Sequence, residues 1–293
     1  MRNNYLAQKQ SLPLQAKINI SKRRITQWYN HFNGNVYVAF SGGKDSTVLL
    51  DLVRSIYPNV KGVFVDTGLE YPEIKDFVKT VGNIETIRPK YTFIEVLERW
   101  GYPIISKQVS MAISRFRNTK DPIQKEYRMF GTKNGEYVGK AGVIPKKYRY
   151  LIDAPFKISE NCCNVMKKQP FHKFEKKTGL KPFIGLMAED SKNRRDYYIK
   201  NGCNAFNLND PKSMPLSIWT EDNIWEYIKT KKIDYCKIYD KSGIDRTGCM
   251  FCMFGINQEK EDRFESMSKT HPKIYTYCMN KLGLKKVLEY IKR

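Results

Sequence analysis

Val36-Tyr37-Val38-Ala39-Phe40-Ser41-Gly42-Gly43-Lys44-Asp45-Ser46-Thr47 is an apolar run that breaks into a small, glycine- and hydroxyl-rich turn. Val36, Val38 and Phe40 are β-branched or aromatic, which suits a short buried strand. Downstream, Val48, Leu49, Leu52, Val53 and Ile56 recur at helical spacing. Between them, Gly42 and Gly43 let the backbone turn sharply and let a ligand approach without a Cβ in the way. The first N–H groups of the following helix, aided by its dipole, attract an anion. Ser41, Ser46 and Thr47 add hydroxyls and Lys44 adds a positive charge. The stretch reads as strand, phosphate-binding loop, helix. It contains neither Gly-x-x-x-x-Gly-Lys-Ser/Thr nor Gly-x-Gly-x-x-Gly, which separates it from the common nucleotide loop and from the dinucleotide fingerprint.

Upstream, Ile25, Trp28, Tyr29 and Phe32 predict a helix that begins near Ser21 as N-cap and ends at Gly34. Downstream, residues 61–66 predict a second strand, 84–88 a third and 182–187 another. Helices are expected through Phe77 and Val78, over 92–100, over 219–228 behind a Thr220 cap, and over 282–291. Strands alternating with helices predict an α/β fold, a doubly wound, mainly parallel sheet with helices on both faces. The expected division is an N-terminal helical segment (1–35), a nucleotide-binding domain (36–235) and a smaller cysteine-bearing C-terminal region (236–293).

The chain of 293 residues carries 52 Lys+Arg against 30 Asp+Glu, a formal charge of +22. Such a field gathers polyanions unless it is only an even lysine-rich bias. The excess is uneven: residues 105–150 hold eleven Lys/Arg and three Asp/Glu, interleaved with Phe116, Tyr127, Phe130, Tyr137 and Tyr148. This segment is either a nucleic-acid grip, in which charge holds the backbone and rings stack on bases, or a solvated insertion. No apolar run approaches membrane-spanning length and the first residues are polar, so the chain is expected to be soluble and cytoplasmic.

Seven cysteines without a secretory signal argue for thiol or metal chemistry in a reducing compartment rather than a disulfide framework. Cys162-Cys163 and Cys249-x-x-Cys252 are paired, the second within Arg246-Thr247-Gly248-Cys249-Met250-Phe251-Cys252. A Cys-x-x-Cys turn puts two thiolates on one side of a metal, and a second pair completes four ligands. Tandem cysteines suit the wider corners of a [4Fe–4S] cluster better than a tight zinc tetrahedron; zinc, or no metal, are the alternatives. Cys203, Cys236 and Cys278 are expected to be buried or free thiols.

Ser41-Gly42-Gly43-Lys44-Asp45-Ser46 resembles the PP-loop of the ATP pyrophosphatase superfamily. Together with the turn from Asp66 to Glu73, Cys162-Cys163 with Lys167, Lys168 and Pro170, Pro215-Leu216-Ser217-Ile218-Trp219-Thr220 and Gly248-Cys249-x-x-Cys252, it resembles the phosphoadenosine/adenosine phosphosulfate reductase family over residues 20–255. The four paired cysteines resemble its iron–sulfur branch, which includes adenosine phosphosulfate reductases and sulfur-transfer proteins of DNA phosphorothioation. The resemblance implies an adenine nucleotide alpha hydrolase-like fold. It implies that Ser41, Gly42, Gly43, Lys44, Asp45, Ser46 and Thr47 hold nucleotide phosphates, and that Asp66, Thr67, Gly68 and Glu70 border the nucleotide. Cys162, Cys163, Cys249 and Cys252 would then hold the cluster.

Two departures distinguish the branches. The reductases' C-terminal Glu-Cys-Gly-x-His motif is absent from these 293 residues, where the one cysteine after Cys252 is Cys278. The family's Gly-x-Arg-x-x-Glu-Ser reads Gly185-Leu186-Met187-Ala188-Glu189-Asp190-Ser191, with Met187 at the arginine position and Arg194 and Arg195 close behind as substitutes. The expected function is therefore an ATP pyrophosphatase-type sulfur transferase that adenylates a nucleic-acid substrate (DNA or tRNA). Lys44, Asp45 and Ser46 would be catalytic and Arg194 nucleotide-binding; Asp45 would help place Mg2+ or serve simply as a helix-start residue. A cysteine desulfurase is the natural sulfur donor. The rivals are a sulfonucleotide reductase using Cys278, and a non-catalytic nucleotide-binding scaffold in a DNA-modification or defence complex.

Overall fold

The strand expected at Val36 runs from Val36 to Ala39 and lies in the middle of a six-stranded sheet. In order across the sheet the strands are Ile84–Ile87, Gly62–Val65, Val36–Ala39, Lys181–Ile184, Lys212–Ser213 and Asn204–Ala205. All neighbouring pairs are parallel except the last, which is antiparallel. This bears out the α/β class. The register pairs Val38 with Gly62 on one side and with Phe183 on the other, so alternate residues face opposite ways. Val38 and Phe183 are fully buried on the face that carries the helices Leu14–His31 and Lys44–Arg54, where Trp28 and Phe183 lie 6.5 Å apart, centroid to centroid. Tyr37 and Val63 face the other way and pack with Phe174 of the helix Gln169–Thr178. Helices thus cover both faces.

The computed structural model describes residues 2–241, 244, 247–256 and 262–291. The chain divides into two units: Met1–Asp66, Tyr71–Arg88 and Phe171–Ile238 form the first, and Thr67–Glu70, Pro89–Pro170 and Tyr239–Arg293 the second. The sheet belongs wholly to the first. The sequence suggested instead a linear division with a boundary near 235. The units interleave because the sheet recruits its fourth strand only at Lys181, after a long excursion of the chain.

The helix expected to start at Ser21 begins at Leu14, after Pro13. Leu14 and Ile18 extend its buried stripe. Ser21 is not a cap: its buried hydroxyl donates to the Pro215 carbonyl (2.8 Å) and accepts from the Trp219 indole (2.9 Å). Thr220 stands at the start of the helix Glu221–Lys231 as expected, and its amide (3.1 Å) and hydroxyl (2.9 Å) both donate to Asn223 Oδ1.

The second unit contains the helix Phe93–Arg99, capped by a Thr92–Glu95 box, and the helices Lys107–Asn118 and Pro122–Phe130, capped by Ser106 and Asp121. It also holds two two-residue strand pairs and the C-terminal helices Arg263–Thr270, Pro272–Thr276 and Leu284–Ile291. Among the described residues no helix is long and apolar enough to cross a membrane.

Candidate nucleotide site and cysteine constellation

After the central strand the chain of the first unit proceeds through strands to one side and then returns to the other side for Lys181–Ile184. The carboxyl ends of Val36–Ala39 and Lys181–Ile184 therefore flank the point where strand order reverses, where open α/β sheets bind ligands. The glycine-rich turn follows the first of these ends. Gly42 has φ +73°, and a Cβ there would stand 3.0 Å from Cγ2 of both Ile74 and Val78. Gly43 is extended, and the helix Lys44–Arg54 starts after it with no side-chain cap. Its first-turn amides are the donors a phosphate takes. Gly185, at the end of the second strand, brings that loop against the first; a Cβ there would lie 3.1 Å from the Asp45 carbonyl oxygen.

The hydroxyls expected to bind phosphate divide into two groups. Ser46 Oγ donates to the Gly43 carbonyl (2.9 Å) and accepts from the Ser41 amide (3.1 Å), while Thr47 Oγ1 donates to the same carbonyl (3.0 Å). These two hold the turn in shape. Ser41 is exposed and its Oγ lies 3.0 Å from that of Ser46, which leaves it the better placed to meet a ligand.

Lys44 is buried, with Nζ 3.1 Å from Glu221 Oε1 and 3.6 Å from Asp45 Oδ1. That Asp45 oxygen is itself buried and accepts no hydrogen bond. Burial pushes the Asp45 carboxyl above its ordinary range; Lys44 opposes this, and the charges of Asp190 and Glu221 add to it. A buried carboxylate oxygen beside a phosphate loop, ion-paired with Lys44 at 3.6 Å, is a donor that suits a divalent cation such as magnesium. Met187, at the family's arginine position, is buried, and its amide donates to Asp190 Oδ2 (3.2 Å). Arg194 is ion-paired with the same Asp190 oxygen. Glu221 was legible only as a helix-start acid; its partnership with Lys44 spans 177 positions, from 44 to 221, and left no local signal.

The acidic turn is divided between the units. Asp66 of the first is ion-paired with Lys75 (2.8 Å) and Arg88 (3.4 Å). In the second, Glu70 accepts from the Thr67 hydroxyl (2.6 Å) and amide (3.0 Å), closing the turn around Gly68.

The four paired cysteines all lie in the second unit. Cys162 and Cys163 precede a π-helical turn, Asn164–Lys168, a distortion frequent at functional sites. Cys249 and Cys252 are joined by a tight turn in which the Cys252 amide donates to the Cys249 carbonyl (2.9 Å). Burial first, then the charges of Cys249, Cys163 and Cys252, push the Cys162 thiol up. Burial also pushes the Cys249 thiol to about 11, against the charge of Lys167. The Lys167 ammonium is held charged by Cys249, to which it hydrogen-bonds, and by Glu70 and Cys163. Sequence reasoning named Lys167 in a motif without giving it a role.

Four thiols around one ammonium make a soft donor set that, on losing their protons to a metal, fits iron or zinc. Among the described residues, the only three His/Cys/Asp/Glu ligand atoms within 4.8 Å of one another belong to His172, Glu175 and Asp210. No three of the four sulfurs therefore lie within 4.8 Å of one another, whereas all four would in a tetrahedron with 2.3 Å Zn–S bonds, whose edge is roughly 3.8 Å. Arg246 of the same motif lies outside the described residues. Cys278 is fully buried, and burial pushes its thiol up to about 11. Cys203 and Cys236 are buried in the first unit, as expected.

The model of the phosphoadenosine phosphosulfate reductase domain matches residues 35–98 and 115–254. The chain belongs to that family. The resemblance to the phosphoadenosine/adenosine phosphosulfate reductase family is borne out. As a member of the family, the chain is 28% identical over 239 residues to an uncharacterised protein of Methanocaldococcus jannaschii, covering 78% of this chain but only 38% of the relative's length. It is 26% identical over 256 residues to adenosine 5'-phosphosulfate reductase 2 of Bacillus subtilis, covering 86% of this chain and 88% of that one. Among solved structures, phosphoadenylyl-sulfate reductase from Candida auris aligns with TM-score 0.45 at 14% identity over 82% of this chain and 96% of the other.

Proposed function

We propose that this chain is an ATP-using enzyme that adenylates an oxygen of a nucleic-acid substrate so that sulfur can replace it. The observation that carries the reading is the uncapped helix start at Lys44, placed at the strand-order reversal with a buried ammonium beside it. In the reaction the acceptor oxygen bonds to the α-phosphorus of ATP as the bond to the bridging oxygen breaks, and pyrophosphate leaves. A sulfur nucleophile, ultimately supplied by a donor such as a cysteine desulfurase, then bonds to the activated centre and AMP departs. Amides of the first helical turn and Lys44 stabilise the charge that grows on the α-phosphate and the leaving pyrophosphate. Asp45 would hold a magnesium ion that neutralises phosphate charge. Cys162, Cys163, Cys249 and Cys252 would hold an iron–sulfur cluster, which would supply iron to relay sulfide or simply fix their two segments together.

The test is an assay of AMP and pyrophosphate on anaerobically prepared, iron-loaded protein, with and without DNA or tRNA. Turnover stimulated by one of these names the acceptor. Absence of turnover together with absence of salt-dependent nucleic-acid binding overturns the reading.

A second reading draws support from the Bacillus subtilis relative, which is named as an adenosine 5'-phosphosulfate reductase. It calls for a nucleophilic thiolate, and the fully buried Cys278 with its raised thiol weighs against that role. Sulfite release from adenosine phosphosulfate with a thiol donor, lost in Cys278→Ser, would establish it.

A further inference from the structure

We propose that residues 122–150 of the second unit form a stacking platform for the unpaired bases of a single nucleic-acid strand, with Phe130 and Tyr137 as the rings that meet the bases. The inference rests on the nucleic-acid reading above and specifies the strand state and the residues that grip it.

The platform is rigidly built. The helix Pro122–Phe130 ends at Gly131 in a left-handed conformation, and a short hairpin pairs Thr132 with Tyr137 and Lys133 with Glu136. Glu126 pins the hairpin, accepting from the Thr132 hydroxyl (2.6 Å) and from the Asn134 and Gly135 amides (each 2.9 Å). Behind the hairpin, the Tyr127 hydroxyl donates to the Ala141 carbonyl (2.6 Å), and the Ile144 amide to the Arg128 carbonyl (2.7 Å). Ring placement is therefore fixed before any ligand arrives, which reduces the ordering cost of binding.

On this support the large rings are turned outward. Phe130 is 59% exposed and Tyr137 66% exposed, so neither ring gains the stabilisation that burial of its apolar surface would give. Cations lie over the rings of the segment: Arg149 over Phe130 (5.3 Å), Arg128 and Lys133 over Tyr127 (5.2 and 5.6 Å), and Lys147 over Tyr148 (4.8 Å). Residues 122–150 hold seven Lys/Arg against two Asp/Glu, a net +5. Cations track a phosphate backbone while ring faces take bases of any sequence. A duplex gives such rings no purchase, because its base faces are already stacked on one another.

The test is fluorescence anisotropy with a labelled 20-nucleotide DNA strand, the RNA strand of the same sequence and the matching DNA duplex, across a salt series. Stronger binding of one or both single strands than of the duplex is expected, and the DNA and RNA arms identify which is preferred. Phe130→Ala and Tyr137→Ala should each weaken single-strand binding about tenfold without changing its salt slope. The double variant Lys133→Gln/Lys147→Gln should instead lower the slope by about 1.4. Circular dichroism checks that the exposed substitutions leave the fold intact.

Equal affinity for strand and duplex, or unchanged binding in both ring variants, overturns the platform. The AMP assay on the same samples separates the two inferences. Strand-stimulated turnover that survives both ring variants sinks the platform alone. Ring-dependent strand binding without AMP release sinks the adenylation reading alone.

Discussion

At Gly42 the backbone sits at φ +73°, where an L side chain is strained, and the space a Cβ would take is bounded at 3.0 Å by Ile74 and Val78. Gly42→Ala should cost about 1–2 kcal/mol in urea unfolding and also displace the phosphate loop. Lys44→Met should behave differently. It removes the ammonium that faces the half-exposed Glu221 and the buried Asp45 oxygen; Asp45, already pushed above its ordinary range by burial, can respond by taking up a proton, so the stability cost should stay smaller than the loss in binding. ATP affinity should nevertheless fall at least tenfold, the worth of a charge-assisted contact to phosphate. Calorimetry with ATP beside urea unfolding distinguishes the two; unchanged ATP affinity in Lys44→Met would deny Lys44 a role in binding. Glycine, lysine and hydroxyl residues made the loop legible as a phosphate site from sequence. What spacing could not assign was the division of labour among the hydroxyls, because Ser46 and Thr47 turn inward to the Gly43 carbonyl while Ser41 stays at the surface.

Between the strand Val36–Ala39 and the helix Gln169–Thr178, Glu175 accepts from the Tyr37 hydroxyl (2.7 Å). Burial holds its carboxyl above the ordinary value of 4.5 and Asp210 adds to this, while the Tyr37 hydrogen bond, His172 and Lys181 oppose it. The folded protein therefore holds this proton more tightly than the unfolded chain. The stability it contributes is complete below pH 4.5 and is lost as pH rises through the elevated folded value. Glu175→Gln keeps an acceptor for Tyr37 and removes the charge. The variant should match the parent's melting temperature near pH 4 and exceed it near pH 7; a lower melting temperature at both pH values would show that the ion pairs outweigh burial. At this scale, elements with local signals were readable, such as the helices that start at Thr92 and Thr220. Those fixed by distant partners were not. Ser21 looked like a cap because its bonds to Pro215 and Trp219 lie almost two hundred positions away. Likewise Arg117 looked like part of a basic run, yet its guanidinium donates to the carbonyls of Leu151, Ile152, Ala154 and Phe156.

Across the whole chain, the seven cysteines fall into two populations that chemistry can count. Cys203, Cys236 and Cys278 are buried single cysteines, and the other four lie together in the second unit. Sequence spacing disclosed the pairs, but the interleaving that brings residues 162 and 249 into one unit follows from long-range contacts and has no local signature. With the cluster loaded, a thiol reagent at neutral pH should find essentially no reactive cysteine, since four sulfurs would be metal-bound and three buried behind apolar packing. Chelation under anaerobic conditions should release iron and acid-labile sulfide and raise the native count toward four, with Cys163, Cys249 and Cys252, the less buried members, reacting ahead of Cys162. Denaturation should then reveal all seven. Zinc in place of iron would give the same thiol counts without labile sulfide, so the sulfide analysis decides the metal. A native count that chelation leaves unchanged would mean that the four thiols do not act as one ligand set.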